Sequence, residues 1–292
     1  ARILADGTVD ASFDPDVNGV VRSLKLDAAS NTLYVGGSFS MVNGVTSRDN
    51  IAALDSLTGI AKALDVATSG TVYTLELNSD ASTLYAGGGF NDTYDNYTAS
   101  IRAVAIDSSN NKYILNATNN KVVKLDVNND FVVEWGSVGS GNGQFNGPTD
   151  IAVDSSGNVY VADEGNGRIQ KFTSTGTYTT EWGSFGVGDG EFSEISSITL
   201  DSANDVYVAD PDNSRIQKFD SDGGYITQWG VDGSGNGEFS VLRSISADEL
   251  GNVYTLEGWG GNNRIQKFDS DGVYSTEWEL PMANNYDITT NS

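Results

Sequence analysis

The sequence predicts an all-β protein, a β-propeller built of four-stranded antiparallel blades, and three observations lead there. A unit near 47 residues long recurs along the chain. Each copy breaks into short β-rich runs separated by Gly, Asn, Asp and Ser clusters. No stretch keeps a helical period. Repeats of 40–50 residues made of four short strands are the signature of propeller blades. Six inner hairpins can be counted, so six blades are expected, with seven, the last completed from both termini, as the alternative.

The repeat is clearest in Asp150–Gly183, DIAVDSSGNVYVADEGNGRIQKFTSTGTYTTEWG, with further copies starting near Ser197 and Ser244 and a weaker one before it. The residue closing each first strand serves as an anchor: Asp27, Asn78, Asp107, Asp154, Asp201 and Asp248, spaced 51, 29, 47, 47 and 47 residues apart. Tyr113, Tyr160, Tyr207 and Tyr254 keep this beat in the second strand, and Trp135, Trp182, Trp229 and Trp278 end the fourth.

In chain order, Arg2 to Phe13 reads as a hairpin around Asp6-Gly7, and Val21–Leu26 with Thr32–Gly37 as the first strand pair. A second pair falls within Val72–Phe90. Its outer two strands are missing, because only 29 residues separate Asn78 from Asp107. In the unit after Thr149, strands are expected at 151–153, 159–162, 168–172 and 178–182. The terminal NNYDITTNS (Asn284–Ser292) resembles an inner strand, as though the two ends shared a blade. The chain has no start Met and no signal peptide, and reads as a mature chain or an excised piece.

Composition narrows the chemistry. The chain has 292 residues, 40 acidic against 16 basic, and a formal charge of -24. Such a surface repels phosphate backbones and anionic lipid, so nucleic acid is not an expected partner, nor is membrane insertion. There is no Cys and no His. Disulfides, thiolate chemistry, a Ser–His–acid triad and the commonest metal ligand are thereby excluded.

Residues 107–279 strongly resemble the NHL repeat family through DSSGNVYVADEGNGRIQKF, DSANDVYVADPDNSRIQKF and the GSGNGEF and GVGDGEF loops. Residues 1–90 resemble the delta-sixty propeller repeats of bacterial surface proteins through ADGTVDASFDP, LYVGGSFSMVNG and IAALDSLTG. The two resemblances imply one propeller domain over 1–292, with 1–100 delta-sixty-like and 101–292 NHL-like, in a piece of what could be a longer chain. They imply no single activity, because such propellers serve as enzymes, RNA binders and interaction modules. The His-held metal of NHL-like lyases has no position here to be carried to.

In a repeat protein, a residue that recurs in every copy is expected to be structural, and one that breaks the period is the better functional candidate. Asp163 with Arg168, Asp210 with Arg215, and Glu257 with Arg264 recur in step and are assigned as structural ion pairs. The loops Gly139–Gly143, Gly186–Gly190 and Gly233–Gly237 precede no helix, so they read as crossovers rather than phosphate cradles, with Phe145, Phe192 and Phe239 plugging the core. Asp126–Asp130, Asp220–Asp222 and Asp269–Asp271 suggest calcium loops, but Phe131 and Ser137 stand where the first would need Gly and Glu, and plain hairpin turns explain all three. No cofactor is expected, with calcium the alternative, and the metal ligands are unknown. Asn91, Asn96 and Asn116 sit in glycosylation sequons.

The irregular loops all fall on one face, where the second strand joins the third and the fourth joins the next blade. They are Ser40–Asp49 with Arg48 and Asp49, Asn91–Ser100 with Asp92, Tyr94, Asp95 and Tyr97, and Glu257–Asn263 with Trp259. Exposed aromatics beside acids suit a protein or glycan contact. The expected function is a non-catalytic binding or assembly module of an extracellular or cell-surface protein, with no catalytic residue assigned. The alternatives are a propeller hydrolase or lyase using carboxylates, with or without calcium, and a structural subunit assembling with itself through exposed strand edges.

Overall fold

A computed structural model describes residues 10, 12–13, 15–44, 46–64, 68, 70–78, 81, 83–89, 101–248, 250–258 and 262–280. The first sheet holds β1 (Val20–Asp27), β2 (Thr32–Ser38) and, after the short hairpin β3 (Met41–Val42) and β4 (Thr46–Ser47), β5 (Ile51–Asp55). The second has only β6 (Val72–Leu77) and β7 (Leu84–Gly88). Four four-stranded sheets follow. They are β8 to β11 (Ile101–Ile106, Lys112–Asn116, Lys121–Leu125, Phe131–Trp135) and β12 to β15 (Asp150–Val153, Val159–Asp163, Arg168–Phe172, Tyr178–Trp182). Next come β16 to β19 (Ser197–Leu200, Val206–Asp210, Arg215–Phe219, Tyr225–Trp229) and β20 to β23 (Leu242–Ala247, Val253–Glu257, Arg264–Phe268, Tyr274–Glu279).

All pairings are antiparallel meanders, and the inner strands pack against one another in the order β1, β6, β8, β12, β16, β20. This is a propeller of five blades plus a partial sheet, and it corrects the expectation of six or seven. All six inner hairpins exist, but the second stops at two described strands, because the short interval before β8 leaves no room for a full outer pair. The hairpin expected around Asp6-Gly7 and the terminal segment 281–292 lie outside the described residues.

The recurring residues hold blade to blade. Trp135, Trp182 and Trp229 each meet the Tyr of their own sheet edge-on (centroids 6.4, 6.2 and 6.1 Å) and then lean onto Phe172, Phe219 and Phe268 of the next sheet at 5.8 Å. Their indoles lie on Gly176, Gly223 and Gly272 in the next sheet's last turn. These glycines have φ of +79°, +90° and +82°, and a Cβ there would come within 2.4–2.5 Å of the ring. Both the backbone sign and the close approach require glycine. Lys124, Lys171 and Lys218 lie over the same tyrosines and donate to the carbonyls of Ser174, Ser221 and Ser270 in the neighbouring sheet. Phe145, Phe192 and Phe239 are fully buried between sheets.

The anchor aspartates shape the first turns. Asp154 accepts the Ser156 and Asn158 N–H groups and the Tyr160 hydroxyl, and Asp107, Asp201 and Asp248 repeat the pattern. With carboxylate and ring so placed, burial and the neighbouring charge push the Tyr160 and Tyr207 hydroxyls far above the ordinary tyrosine value. The tyrosines therefore act as neutral donors.

Candidate functional site: the channel mouth

The six inner strands enclose a polar cavity of about 800 Å³. Glu164 and Asp212, from the tight turns 164–166 and 211–213 after β13 and β17, and Glu194, from the crossover into β16, complete its rim. The cavity thus opens on the face where second strands join third strands, the face expected to carry the irregular loops.

One column of the repeat supplies the mouth. Counting five residues back from each anchor gives Arg22, Tyr73, Arg102, Thr149, Ser196 and Arg243, and all six line the cavity. The strands bend here: pairing slips between Val21 and Ser23, Val72 and Thr74, Ile101 and Ala103, and Leu242 and Ser244. The skipped residues are Arg22, Tyr73, Arg102 and Arg243. A bulge re-aims the residue it inserts, so the three arginines occupy the positions where the ladder is interrupted. β12 and β16 pair without a slip, and Thr149 and Ser196 stand just before them in the same column. Arg22 stacks over the Tyr73 ring at 5.5 Å. Arg102 is exposed to the channel.

Acids share the cavity with these arginines. Asp150, one residue along in β12, accepts the Ile198 N–H (2.9 Å) and the Ser197 hydroxyl (3.2 Å), tying the fourth sheet to the fifth. Burial pushes its carboxyl up to about 6, against the opposing pull of those hydrogen bonds and of Arg102. Burial also raises Glu194, reinforced by Asp212 and Glu164 and opposed by Arg243. Further in, Lys25 pairs with Glu76 at 2.5 Å, and burial holds that carboxyl above the usual range. Among the described residues no group of three or more acidic side chains is placed to hold a metal ion.

Asp163, Asp210 and Glu257 are fully buried and receive Arg168, Arg215 and Arg264 at 2.9, 2.9 and 2.6 Å. Each arginine also donates to two carbonyls of the preceding crossover: Gly141 and Gln144, Gly188 and Glu191, Gly235 and Glu238. These groups lock loops and touch no open space. Asp126, Asp220 and Asp269 accept N–H groups of their own hairpin turns. Asn116 is buried at the end of β9, its side-chain amide oxygen accepting the Asn119 N–H. Arg48 is half-buried and donates to the Ser47 and Lys62 carbonyls, and Asp49 is exposed beside it. Trp259, Asn91, Asp92, Tyr94, Asp95, Asn96 and Tyr97 lie outside the described residues.

Reading loops for irregularity missed Arg22, Arg102, Arg243, Asp150, Glu194 and Asp212. The arginines had a signal, the single column five residues before the anchors. The acids of the rim come from three separate segments and had none.

The model of the NHL repeat matches residues 145–172 and 192–219. The delta-sixty-type resemblance of residues 1–90 rests on the sequence alone. No protein with a curated description matches the chain. Among solved structures, a streptogramin B lyase superposes with a TM-score of 0.70 at 14% identity, over 93% of this chain and 87% of that one. A virginiamycin B lyase from Staphylococcus aureus gives 0.64 at 12% identity (92% and 87%). Its catalytically inactive variant with quinupristin gives 0.65 at 13% (92% and 87%). At such identities the likeness is one of fold. The chain is an all-β propeller that carries NHL repeats at 145–172 and 192–219.

Proposed function

We propose that the chain is a non-catalytic binding module of an extracellular or cell-surface protein, and that it takes a protein or glycan partner on the channel-mouth face. The observation that carries this reading is the contrast within the repeat: in the fourth, fifth and sixth sheets the ion pairs and plug phenylalanines are copied, while the column at the channel mouth changes in kind. Repetition serves the scaffold, and local departure at a concave polar surface is what a binding site needs. The lack of His and Cys supports the non-catalytic side of the reading. One of the related lyase structures is a His-to-Ala variant described as catalytically inactive, and this chain has no histidine to play that part. A glycan and peptide array probed with the folded propeller tests the reading. Specific binding that is lost on Arg102→Ser and Arg243→Ser replacement supports it, and an array with no specific signal contradicts it.

A second reading, a carboxylate-based hydrolase or lyase, is favoured by the Glu194–Asp212 pair. Glu194 is held above its ordinary value by burial and by the neighbouring Asp212 and Glu164, which suits a carboxylic acid that donates a proton. Turnover of a chromogenic glycoside or ester panel, abolished by Glu194→Gln, would establish this reading, and no turnover would dismiss it.

A further inference from the structure

Many basic side chains of this acidic chain serve the scaffold. Arg168, Arg215 and Arg264 meet buried carboxylates. Lys25, Lys62 and Lys121 meet Glu76, Asp55 and Glu134. Lys112, Lys124, Lys171 and Lys218 donate to turn carbonyls. Three arginines, Arg22, Arg102 and Arg243, line one level of the channel, contributed by the first, third and sixth sheets. Tyr73, Thr149 and Ser196 hold the same column in the second, fourth and fifth sheets. Tyr73 stacks on Arg22 and holds that guanidinium at the rim.

We propose that Arg22, Arg102 and Arg243 form a binding ring for the oxyanion group of a small solute, a carboxylate, sulfate or phosphate entering the channel mouth. The inference rests on the binding-module reading and names the ligand chemistry of that site. The planar guanidinium fork presents paired N–H donors that match an oxyanion, and several forks converging on a half-enclosed cavity act where water screens least. The acids of the rim set the limit of this specificity. Glu164, Glu194 and Asp212 stand on the fourth and fifth sheets, so the rest of the ligand faces carboxylates. A solute with one anionic group and a neutral or cationic remainder fits, and a polyanion is repelled.

Isothermal titration at low salt tests this with galacturonate, glucose 6-sulfate and glucose 6-phosphate as anionic probes, galactose and glucose as neutral controls, and heparin as the polyanion. The intact protein is compared with Arg102→Ser, whose side chain is exposed, and with Arg22→Gln/Arg243→Gln, each checked for an unchanged melting temperature. At least one anionic sugar is expected to bind about tenfold or more tightly than its neutral counterpart, each variant is expected to lose about tenfold or more of that affinity, and heparin is expected not to compete. The tightest of the three probes identifies the oxyanion. Neutral sugars binding as well as acidic ones, with the arginine variants unaffected, would overturn the oxyanion ring and leave the binding module standing. No binding of any anionic probe would overturn the ring as well. The array result then decides the module separately.

Discussion

Two rings of arginine run through this molecule and do opposite things. The outer ring, Arg168, Arg215 and Arg264, shares a common set of contacts: one buried acid and two matching crossover carbonyls each, with a third crossover carbonyl at Arg215 and Arg264. The inner ring, Arg22, Arg102 and Arg243, sits at one level of the repeat but with different neighbours each time: a tyrosine ring, the pull of Asp150, the pull of Glu194. The first ring is spent inside the fold. The second lines open space. The same residue type is a fastener where its surroundings are copied and a candidate ligand group where they are not.

The sharpest way to break the comparison is at the outer ring. Asp163→Ala strips an acceptor from Arg168, Asn166, Gln170 and the Asn146 N–H at once. It leaves a buried cation with only the half-exposed Glu181 as counter-charge, and an expected loss of about 3–5 kcal/mol follows, read by denaturant unfolding. Next comes the interblade tryptophan seat. Gly223→Ala places a methyl about 2.5 Å from the Trp182 ring at φ +90°, and about 2–3 kcal/mol should be lost from steric and backbone strain together. An unchanged unfolding midpoint would mean that the seat is not needed.

The inner wall predicts a smaller, pH-dependent effect. The Asp150 carboxyl keeps its proton to about pH 6 in the folded state, against an ordinary value of 3.8. Between those values the folded state binds more protons than the unfolded one, so stability falls as pH rises through the window and stays lower above it. Relative to Asp150→Asn, the native protein should lose about 1–2 kcal/mol between pH 4 and pH 7. Parallel unfolding curves for the two proteins across that range would remove the argument.

Much of the fold was legible because its causes are local and repeated. The turn aspartates, the Tyr–Trp beat and the plug phenylalanines recur at fixed spacing, and each occupies the role that spacing implied. Blade number was overcounted for a physical reason. Each inner hairpin implies a blade, but among the described residues the second has no outer strands to complete one. The site was less legible. Loops of unusual length, with Trp259 and Tyr94 in them, stand out along the chain. The arginine column hides inside strands of normal length, visible only when the units are stacked on their anchors. Glu164, Glu194 and Asp212 are brought together by closure of the sheet ring, which no spacing along the chain encodes.

The central claim is that the copied ring is scaffold and the varied ring is site. Arg102→Ser and Asp163→Ala, measured side by side for unfolding free energy and for binding of the tightest acidic sugar, test it most directly. The predicted result is a crossed pattern. Arg102→Ser changes stability by less than about 0.5 kcal/mol, as expected of an exposed side chain, and weakens the acidic sugar about tenfold or more. Asp163→Ala loses several kcal/mol, and whatever remains folded binds the sugar as before. The contradicting result is an Arg102→Ser protein that melts early and binds the sugar unchanged.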